Sequence, residues 1–314
     1  MSDREPQPVV SVIIATYNRS YTLRHAIQSV IDSSVSDWEL LIIGDGCTDD
    51  TGECVASFKD ARIRFVNLPV RCGYQSAPNN HGVGLSRGKF IAFLNHDDFY
   101  LPDHLANCMT ALENSDADLV WVPCLACSPP EEAPGENPPA FSVIGVPVGM
   151  KYTPLSFCAP SSWVFRRDLA SRVGPWSDAS SLYVLPSQDW LFRASRIGAK
   201  LKFLPKIGVV KMAAEPGCYA RRESPAHEWM ANTLRGNPEY LEDMLEAAAI
   251  SGACQTETNA LLPPWRTILR LWRRPVFMLL IAMGQNPMAL NRAIIFRRRG
   301  GEVRKLRRSR ERIG

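Results

Sequence analysis

Two adjacent carboxylates, Asp97 and Asp98, follow His96 directly after an apolar run at residues 90–94. The run is short, continuous and preceded by Gly88, which predicts a buried parallel strand. In open α/β sheets, ligands bind just beyond the carboxyl ends of the strands. Neighbouring carboxylates resist joint ionisation unless a cation shares them, and divalent cations with oxygen ligands commonly also hold phosphates. The stretch therefore predicts a metal site; the alternative is an acidic turn in which Asp98 caps the next helix.

A third acid, Asp45, lies between Gly44 and Gly46 at the end of another predicted strand, residues 38–43. Glycines on both sides let the backbone and the carboxylate approach a ligand closely. A fourth acid, Asp189, lies in the first turn of a predicted helix, near the positive end of its dipole. For Asp189, a helix-capping role is the alternative to a chemical one.

Strands and helices alternate along the chain and predict a mainly parallel sheet flanked by helices, with a nucleotide-binding type of architecture. Neither G-x-G-x-x-G after the first strand nor G-x-x-x-x-G-K-[ST] occurs, so phosphate must be held by a metal and basic side chains. A proline-rich loop at residues 128–140 separates the two halves. The predicted strands are 9–15, 38–43, 62–67, 89–94, 118–123, 161–165, 201–204 and 207–210, and the predicted helices include 77–86, 105–112 and 187–197.

The formal net charge of +4 conceals an uneven distribution. Residues 261–314 carry 14 Lys and Arg against two Asp and Glu, a net of +12, and the rest of the chain therefore has a net of −8. This tail interleaves aromatic and apolar residues with arginines, which favours an interfacial helix on an anionic membrane. A solvated extension packed on the domain and nucleic-acid binding are the alternatives, and no nucleic-acid recognition motif accompanies the charge.

The nine cysteines are scattered and odd in number, which favours a reduced, cytoplasmic protein over a disulfide framework. Cys124 and Cys127 have C-x-x-C spacing, but no second pair stands at zinc-site spacing, so a metal or redox role is the lesser alternative. Residues 1–8 are polar and show no apolar signal-peptide core. The predicted location is cytoplasmic, with peripheral association at the inner face of the plasma membrane.

Four segments, in this order, resemble the family-2 glycosyltransferases of the GT-A fold over about residues 8–212. The resemblance implies a Rossmann-like, mainly parallel sheet and an inverting, hexosyltransferase-type transfer from a nucleotide-diphosphate sugar to an acceptor hydroxyl. It also implies a divalent metal, Mn²⁺ or Mg²⁺, and a setting in polysaccharide or glycolipid assembly. The four segments are VSVIIATYNR (10–19), GDGCTD (44–49), NHDD (95–98) and QDW (188–190).

The resemblance also implies a role for individual positions. Tyr17 would pack on the base and Asp45 would hydrogen-bond it, with uracil favoured. Asp98 would be the direct metal ligand, with Asp97 also at the metal and nearer the ribose or sugar. Asp189 would be the general base that takes the acceptor's proton. The implied nucleotide set is Ala15, Thr16, Tyr17, Asn18, Asp45, Asn80 and Asp97. Gln188 and Trp190 are predicted for the acceptor, and a core tryptophan at helical spacing is the alternative for Trp190. Lys211, Arg221 and Arg222 are predicted to supply positive charge to the diphosphate in place of a family histidine that this chain lacks.

The chain departs from the family pattern at several positions. Asn95 replaces the first acid of the usual Asp-x-Asp, and Gly44 replaces an aspartate. Pro78-Asn79-Asn80 replaces Ala-Arg-Asn and removes a basic contact to the nucleotide. The late metal-binding histidine of many relatives is missing from residues 210–215, and His227 is predicted to lie at the surface.

The sequence thus predicts a glycosyltransferase domain over residues 1–215, with a nucleotide half at 8–127 and an acceptor half at 141–212, and a basic helical extension over 216–314. The predicted partners are a nucleotide-sugar donor, a saccharide or glycolipid acceptor and an anionic membrane. One alternative is a catalytically weak binding protein that uses the tail as a membrane adaptor, and another is a retaining transferase.

Overall fold

A computed structural model describes residues 7–128, 140–154, 156–212, 224–236, 244–246 and 275–289. Strands and helices alternate through the first half, as predicted. The strands are β1 Val10–Thr16, β2 Trp38–Gly44, β3 Ile63–Asn67, β4 Phe90–Phe93, β5 Asp98–Tyr100, β6 Leu119–Trp121, β7 Cys124–Ser128, β8 Ala140–Ile144, β9 Trp163–Arg166, β10 Leu201–Phe203 and β11 Val209–Met212. The helices are α1 Ser20–Ile31, α2 Thr51–Ala56, α3 Ser76–Leu85, α4 His104–Glu113, α5 Arg167–Val173, α6 Pro186–Arg196 and α7 Pro225–Gly236.

The main sheet has seven strands in the order β10-β6-β9-β4-β1-β2-β3. All of its strands run parallel except β9, which pairs antiparallel with both β4 and β6. The prediction of a mainly parallel sheet flanked by helices is therefore confirmed. The carboxyl ends of β3, β2, β1 and β4 lie in a row, so the polar segments that follow these strands share one edge.

Strand β1 is buried on both faces, which explains why its sequence is continuously apolar rather than alternating. Val10, Val12 and Ile14 pack on one face in a cluster with residues of α1, while Ile13 packs on the other face with Phe93 and Trp163. Trp163 and Trp176 are core residues. The sheet edge that carries the acids is thus held by packing on both sides.

A second sheet, which the sequence did not predict, has four strands in the order β5-β11-β7-β8. The chain enters it three times: with β5, which begins at the second acid of the pair; with β7, after Pro123, where a single apolar run divides into β6 and β7; and with β11. Strand β5 has three residues, too few for a periodic pattern to reveal it. Cys124 and Cys127 are free, buried thiols of β7, and burial raises the pKa of both, which opposes a metal or redox role.

The C-terminal third is described only in part. Helix α7 packs against the second sheet, where Met230 and Ala231 join the cluster of Phe99 and Val210. The guanidinium of Arg196 at the end of α6 donates hydrogen bonds to the backbone carbonyls of residues 281 and 282. The predicted domain boundary at 215 and most of the basic tail lie outside the described residues. Within the described ranges, no helix is both long and apolar enough to cross a membrane.

Candidate active site

Three of the predicted segments meet where β2, β1 and β4 end. Gly44 pairs in register with Thr16, and the Asp45 backbone N–H donates to the Thr16 carbonyl oxygen at 2.8 Å. The ring nitrogen Nδ1 of His96 contacts the Ala15 carbonyl oxygen at 3.1 Å, which ties the acidic segment to the end of β1. The sheet therefore places the segments of Ala15, Thr16, Asp45 and Asp97 side by side.

Asp45 holds the loop that follows β3. Its buried carboxylate accepts hydrogen bonds from the backbone N–H groups of Cys72, at 2.8 Å, and Gly73, at 2.7 Å. Gly46 has a positive φ of 71°, and a Cβ added there would lie 3.0 Å from the backbone nitrogen of Arg71. A glycine at this position lets residues 71–73 pack against the end of β2.

Arg71 is a residue of this site that the sequence did not single out. Its guanidinium carbon lies 3.8 Å from the centre of the Tyr17 ring, a cation–π contact. The two residues are separated by 54 positions, and no local pattern links them. The sequence signal for Arg71 was only that a basic residue follows the predicted strand at 62–67, which comes next in the chain after the strand that ends at Asp45.

Asn18 and Asn80, both predicted to contact the nucleotide, use their side chains to join segments of the protein. Asn18 accepts from the Thr48 backbone N–H at 2.8 Å and donates to the Thr48 hydroxyl at 3.1 Å. Asn80 accepts from the Trp176 backbone N–H at 2.8 Å and donates to the Trp176 carbonyl at 3.0 Å. Both amides are therefore engaged with protein groups, and their predicted contact with a nucleotide stays a prediction.

Asp98, predicted to be the direct metal ligand, is enclosed. Its side chain is 0% exposed, and one carboxylate oxygen accepts from the Ser161 hydroxyl at 2.6 Å and from the Asn95 amide at 2.8 Å. The other oxygen lies 3.4 Å from Nζ of Lys211, which stands opposite Asp98 in the β5–β11 register. Burial raises the pKa of Asp98, and Asp97 adds to this effect, while Lys211 opposes it. Asp98 is the first residue of β5, so the structure does not show the alternative of an acidic turn in which Asp98 caps the next helix.

Asp97 is the more accessible acid of the pair, with 22% of its side chain exposed. Its carboxylate lies 4.0 Å from the guanidinium of Arg19. Burial acts to raise the pKa of Asp97, but the positive charges of His96, Lys211, His227 and Arg19 outweigh it and lower the pKa below its usual value. Asp97 is therefore the carboxylate of the pair that reaches solvent, and its positive neighbours favour its charged form.

His227 is buried and lies against the acidic segment, so the prediction that it lies at the surface was wrong. Its Nε2 is 3.1 Å from the Asp97 carbonyl oxygen, its Nδ1 is 2.7 Å from the Ser224 hydroxyl, and its ring stacks on Phe99. Helix α7 carries it there by packing on the second sheet. Because that sheet was not predicted, nothing in the sequence indicated the contact.

Asp189 lies in the first turn of α6, as predicted. One oxygen, Oδ2, accepts from the Ser177 hydroxyl at 2.8 Å and from Nε of Arg193 at 2.9 Å. The neighbouring residue Trp176 has its ring 5.0 Å from that of Phe93, the last residue of β4. Asp189 is thus connected to β4, the strand that leads into the acidic pair, by its hydrogen bond to Ser177 and by the ring contact of the adjacent Trp176 with Phe93.

The two predicted acceptor residues flank Asp189 but point elsewhere. Trp190 is 1% exposed, packs on Trp163 and Phe165, and donates its indole N–H to the Gly174 carbonyl. The structure therefore shows the core alternative for Trp190, because a buried indole offers no face to a sugar. The side-chain amide of Gln188 donates to the Cys158 carbonyl at 3.0 Å. Arg221 and Arg222 lie outside the described residues.

The carboxylates of this site can hold a divalent cation only if a bound substrate supplies further oxygen ligands. Among the residues that the structure describes, no three or more His, Cys, Asp or Glu side chains cluster as a metal site. Mg²⁺ is commonly bound by one or two carboxylates together with substrate phosphates rather than by a complete protein cage. The accessible, charged carboxylate of Asp97 meets this requirement, while that of Asp98 is enclosed by protein groups.

Comparison with known families finds a match over more than half of the chain. The family described as Glycosyl transferase family 2 matches residues 11–174. An uncharacterized glycosyltransferase of Rickettsia typhi is 30% identical over 119 residues, 37% of this chain and 36% of that protein. The UDP-Glc:alpha-D-GlcNAc-diphosphoundecaprenol beta-1,3-glucosyltransferase WfgD of Escherichia coli is 34% identical over 97 residues, 31% of this chain and 38% of that protein. The matches thus span little more than a third of these curated relatives.

Two of the solved structures with the same fold are TarS and PcManGT. Residues 1–349 of Staphylococcus aureus TarS, in complex with UDP-GlcNAc, align with a TM-score of 0.54 and 17% identity over 73% of this chain and 67% of that one. The mannosyltransferase PcManGT of Pyrobaculum calidifontis, in complex with GDP-Man and Mn²⁺, aligns with a TM-score of 0.50 and 17% identity over 89% of this chain and 87% of that one. At this identity the alignments show the fold alone, which is the predicted GT-A fold.

Proposed function

The chain belongs to glycosyl transferase family 2, and from this premise we propose that it transfers a sugar from a nucleoside-diphosphate sugar to an acceptor hydroxyl. One observation carries the proposal. Asp45 and Asp97 lie at one edge of the main sheet, and Asp189 is joined to that edge through Ser177, Trp176 and Phe93. A nucleotide-binding edge and a carboxylate beside it are what a displacement at an anomeric carbon requires.

We assign Asp189 as the general base of a single displacement with inversion. Both of its side-chain hydrogen bonds within the described residues end on Oδ2, so these bonds orient the carboxylate and leave Oδ1 as the oxygen for the acceptor. As the acceptor oxygen bonds to the anomeric carbon, its proton passes to Oδ1 and the bond to the diphosphate oxygen breaks. Such a step needs no covalent sugar–protein intermediate.

We assign Asp97, rather than Asp98, as the carboxylate that holds Mn²⁺ or Mg²⁺ together with the donor diphosphate. Asp98 already accepts hydrogen bonds from Ser161 and Asn95 and pairs with Lys211, whereas Asp97 is partly exposed. A bound divalent metal neutralises charge on the leaving diphosphate. In this assignment Asp98 and Lys211 form the support that fixes the position of Asp97.

A uridine diphosphate sugar is the donor that we favour, and a saccharide or a glycolipid the acceptor. Support comes from the relatives, since WfgD is named for UDP-Glc and a diphosphoundecaprenol-linked acceptor, and TarS was solved with UDP-GlcNAc. The retaining alternative is separated from this proposal by the anomeric configuration of the product. We place the transferase domain at residues 1–215 and a basic helical extension at 216–314.

The extension is the part that we propose to contact an anionic membrane. Residues 275–282 are helical, and four apolar side chains in and just after this helix are more than half exposed. The basic charge of residues 261–314 suits an anionic surface. Binding to vesicles of phosphatidylglycerol, and not to vesicles of phosphatidylcholine alone, is the expected result; equal binding to both would contradict the proposal. The four side chains are Val276, Met278, Leu279 and Met283.

Calorimetric binding of UDP, GDP and dTDP, each with and without Mn²⁺, tests the function directly. We expect one nucleotide to bind well, more tightly with the metal, and its sugar donors then define the panel for transfer assays. If none of the three binds, the transferase proposal fails. The alternative of a binding protein with this fold, attached to membranes by its tail, would then be favoured.

A further inference from the structure

A short stretch of chain, residues 173–177, lies between Asp189 and the main sheet, and we call it the bridging segment. It begins at the last residue of α5 and ends before the turn that leads toward α6. Its final residue, Ser177, donates its hydroxyl to Oδ2 of Asp189 at 2.8 Å. The position of the bridging segment therefore decides how the Asp189 carboxylate is oriented.

Helix α6, which carries Asp189, holds the first half of the bridging segment. The guanidinium of Arg193 donates to the carbonyls of Val173 and Pro175, at 2.8 and 2.7 Å. The indole N–H of Trp190 donates to the Gly174 carbonyl between them at 2.9 Å. Three successive carbonyls are thus fixed by side chains of one helix.

Asn80, on helix α3, holds the second half. Its Oδ1 accepts from the Trp176 backbone N–H at 2.8 Å, and its Nδ2 donates to the Trp176 carbonyl at 3.0 Å. The side-chain amide therefore binds the backbone of Trp176 as a neighbouring peptide group would. Trp176 directly precedes Ser177, so these two bonds act on the residue next to the one that contacts Asp189.

Helix α3 is seated closely on the main sheet. It begins three residues after Gly73, whose backbone N–H is bound by the Asp45 carboxylate at 2.7 Å. A Cβ added at Gly82 would lie 2.5 Å from a side-chain carbon of Ile13 in β1 and 3.3 Å from one in β2. Packing this close leaves the helix little room to shift. Asn80 therefore ties the bridging segment to the strands that end at the predicted nucleotide residues.

We propose that Asn80 is a positioning residue for the general base, an inference that rests on the proposed function. By fixing the Trp176 backbone, it places the Ser177 hydroxyl against Oδ2 of Asp189 and so directs Oδ1 to the acceptor. In this assignment the Asn80 amide serves the base rather than the nucleotide. One helix then sets the base in a fixed geometry to the donor.

The test measures kcat, the KM of the donor and the Kd of UDP for the full-length protein and its variants. Release of UDP from UDP-Glc or UDP-GlcNAc is followed with octyl glucoside or water as the acceptor. GDP-Man and GDP replace these probes if GDP is the nucleotide that the wild-type protein binds. Because a reacting group misplaced by about 1 Å can cost about 10²-fold in rate, we expect Asn80→Ala and Ser177→Ala each to lower kcat by about 10- to 100-fold. The KM and the Kd should stay within about twofold of the wild-type values.

The double variant, Asn80→Ala with Ser177→Ala, shows whether the two residues act through one path. If they do, kcat should fall no more than about threefold below that of the weaker single variant, whereas independent residues would multiply their losses. Ser177→Thr keeps the hydroxyl and should retain most of the wild-type kcat. Asn107→Ala is the matched control, because its amide joins α4 to Lys206 outside the site, and its kcat should equal that of the wild-type protein.

Three results would overturn the assignment of Asn80: an unchanged kcat in Asn80→Ala, a weaker Kd for UDP that accounts for its whole effect, or losses that multiply in the double variant. If Asn80→Ala does not fold, Asn80→Asp takes its place in every comparison, because it keeps the acceptor for the Trp176 N–H and loses only the donor. A wild-type protein that binds no nucleotide, or binds one and turns over no donor, is a different result. It overturns the proposed function itself and this inference with it.

Discussion

Two carboxylates of the candidate site each pair with a basic side chain, yet their surroundings differ. Asp98 is 0% exposed, belongs to a strand, and meets Lys211 across the second sheet. Asp189 is 17% exposed, lies in the first turn of a helix, and meets Arg193 one turn later on the same helix. The first pair joins positions 113 residues apart, while the second is local in sequence.

In the proposed function, this difference separates a supporting acid, Asp98, from a reactive one, Asp189. Every carboxylate oxygen of Asp98 has a protein partner, so a ligand could reach it only by displacing Ser161, Asn95 or Lys211. Within the described residues, the hydrogen bonds of Asp189 converge on Oδ2, and Oδ1 is the oxygen that we propose for the acceptor. The role of an acid in a motif thus depends on the protein groups that already surround its carboxylate.

Asp189→Asn should have the largest effect. The amide keeps the shape of the side chain but cannot take the acceptor's proton, so transfer should fall by about 10²- to 10⁴-fold while nucleotide affinity stays the same. A transfer assay and calorimetry on the same preparation measure the two quantities. Asp168→Asn is the matched control, since Asp168 forms the same i,i+4 pair with Arg172 on α5. Wild-type transfer by Asp189→Asn would remove Asp189 from the mechanism.

Lys211→Met should have the largest effect on folding. It leaves the buried Asp98 carboxylate without its cation, and breaking a buried pair in this way costs about 3–5 kcal/mol. Urea unfolding measures the loss. Lys89→Met serves as the control, because Lys89 and Glu113 form an exposed pair whose loss should cost less than about 1 kcal/mol. Equal losses for the two variants would show that Asp98 and Lys211 are not the support that we assign.

In the wild-type protein, Mn²⁺ should raise the affinity for UDP by about tenfold. Asp97→Asn should abolish this increase, because the neutral amide is a poor ligand for a hard cation. Without metal, the variant and the wild-type protein should bind UDP equally. Titrations of UDP with and without Mn²⁺ distinguish the two conditions. A metal effect that survives in Asp97→Asn would place the cation elsewhere.

Arg193→Met should have the smallest effect on stability. Its guanidinium binds Asp189 and the carbonyls of Val173 and Pro175, but it is partly exposed, so water can replace these bonds. We expect a loss of about 1–2 kcal/mol in urea unfolding, less than for Lys211→Met. If Arg193→Met lost as much unfolding free energy as Lys211→Met, the Asp189–Arg193 pair would stabilise the fold as much as the Asp98–Lys211 pair does, contrary to this expectation.

Much of the fold could be predicted because each parallel strand of the main sheet is a short apolar run bounded by polar or glycine residues. The strands at 10–16, 38–44 and 63–67 were predicted within two residues. The second sheet was not, since β5 has three residues and β7 continues the apolar run of β6 across Pro123. Periodicity identifies an element but does not tell which sheet it joins.

The site was predicted to a lesser extent, for a related reason. Asp45, Asp97 and Asp189 could be singled out from their positions next to strand and helix ends, which are local features, and their roles stay predictions. Arg71 and His227 were missed because their partners, Tyr17 and Asp97, lie far away in the sequence and on different elements. Trp190 could not be assigned to the core or to an acceptor surface until the packing on Trp163 was known.

The sequence by itself determined the order of strands and helices and the polar residues that end them, because hydrophobic periodicity and strand-end chemistry are properties of neighbouring residues. Only the tertiary structure decided which of these residues are free to act. The register of β5 against β11 encloses Asp98 with Lys211, and the loop after β3 brings Arg71 onto Tyr17. Both contacts depend on how distant elements pack, and burial by that packing decides whether a charged group supports the site or faces its ligand.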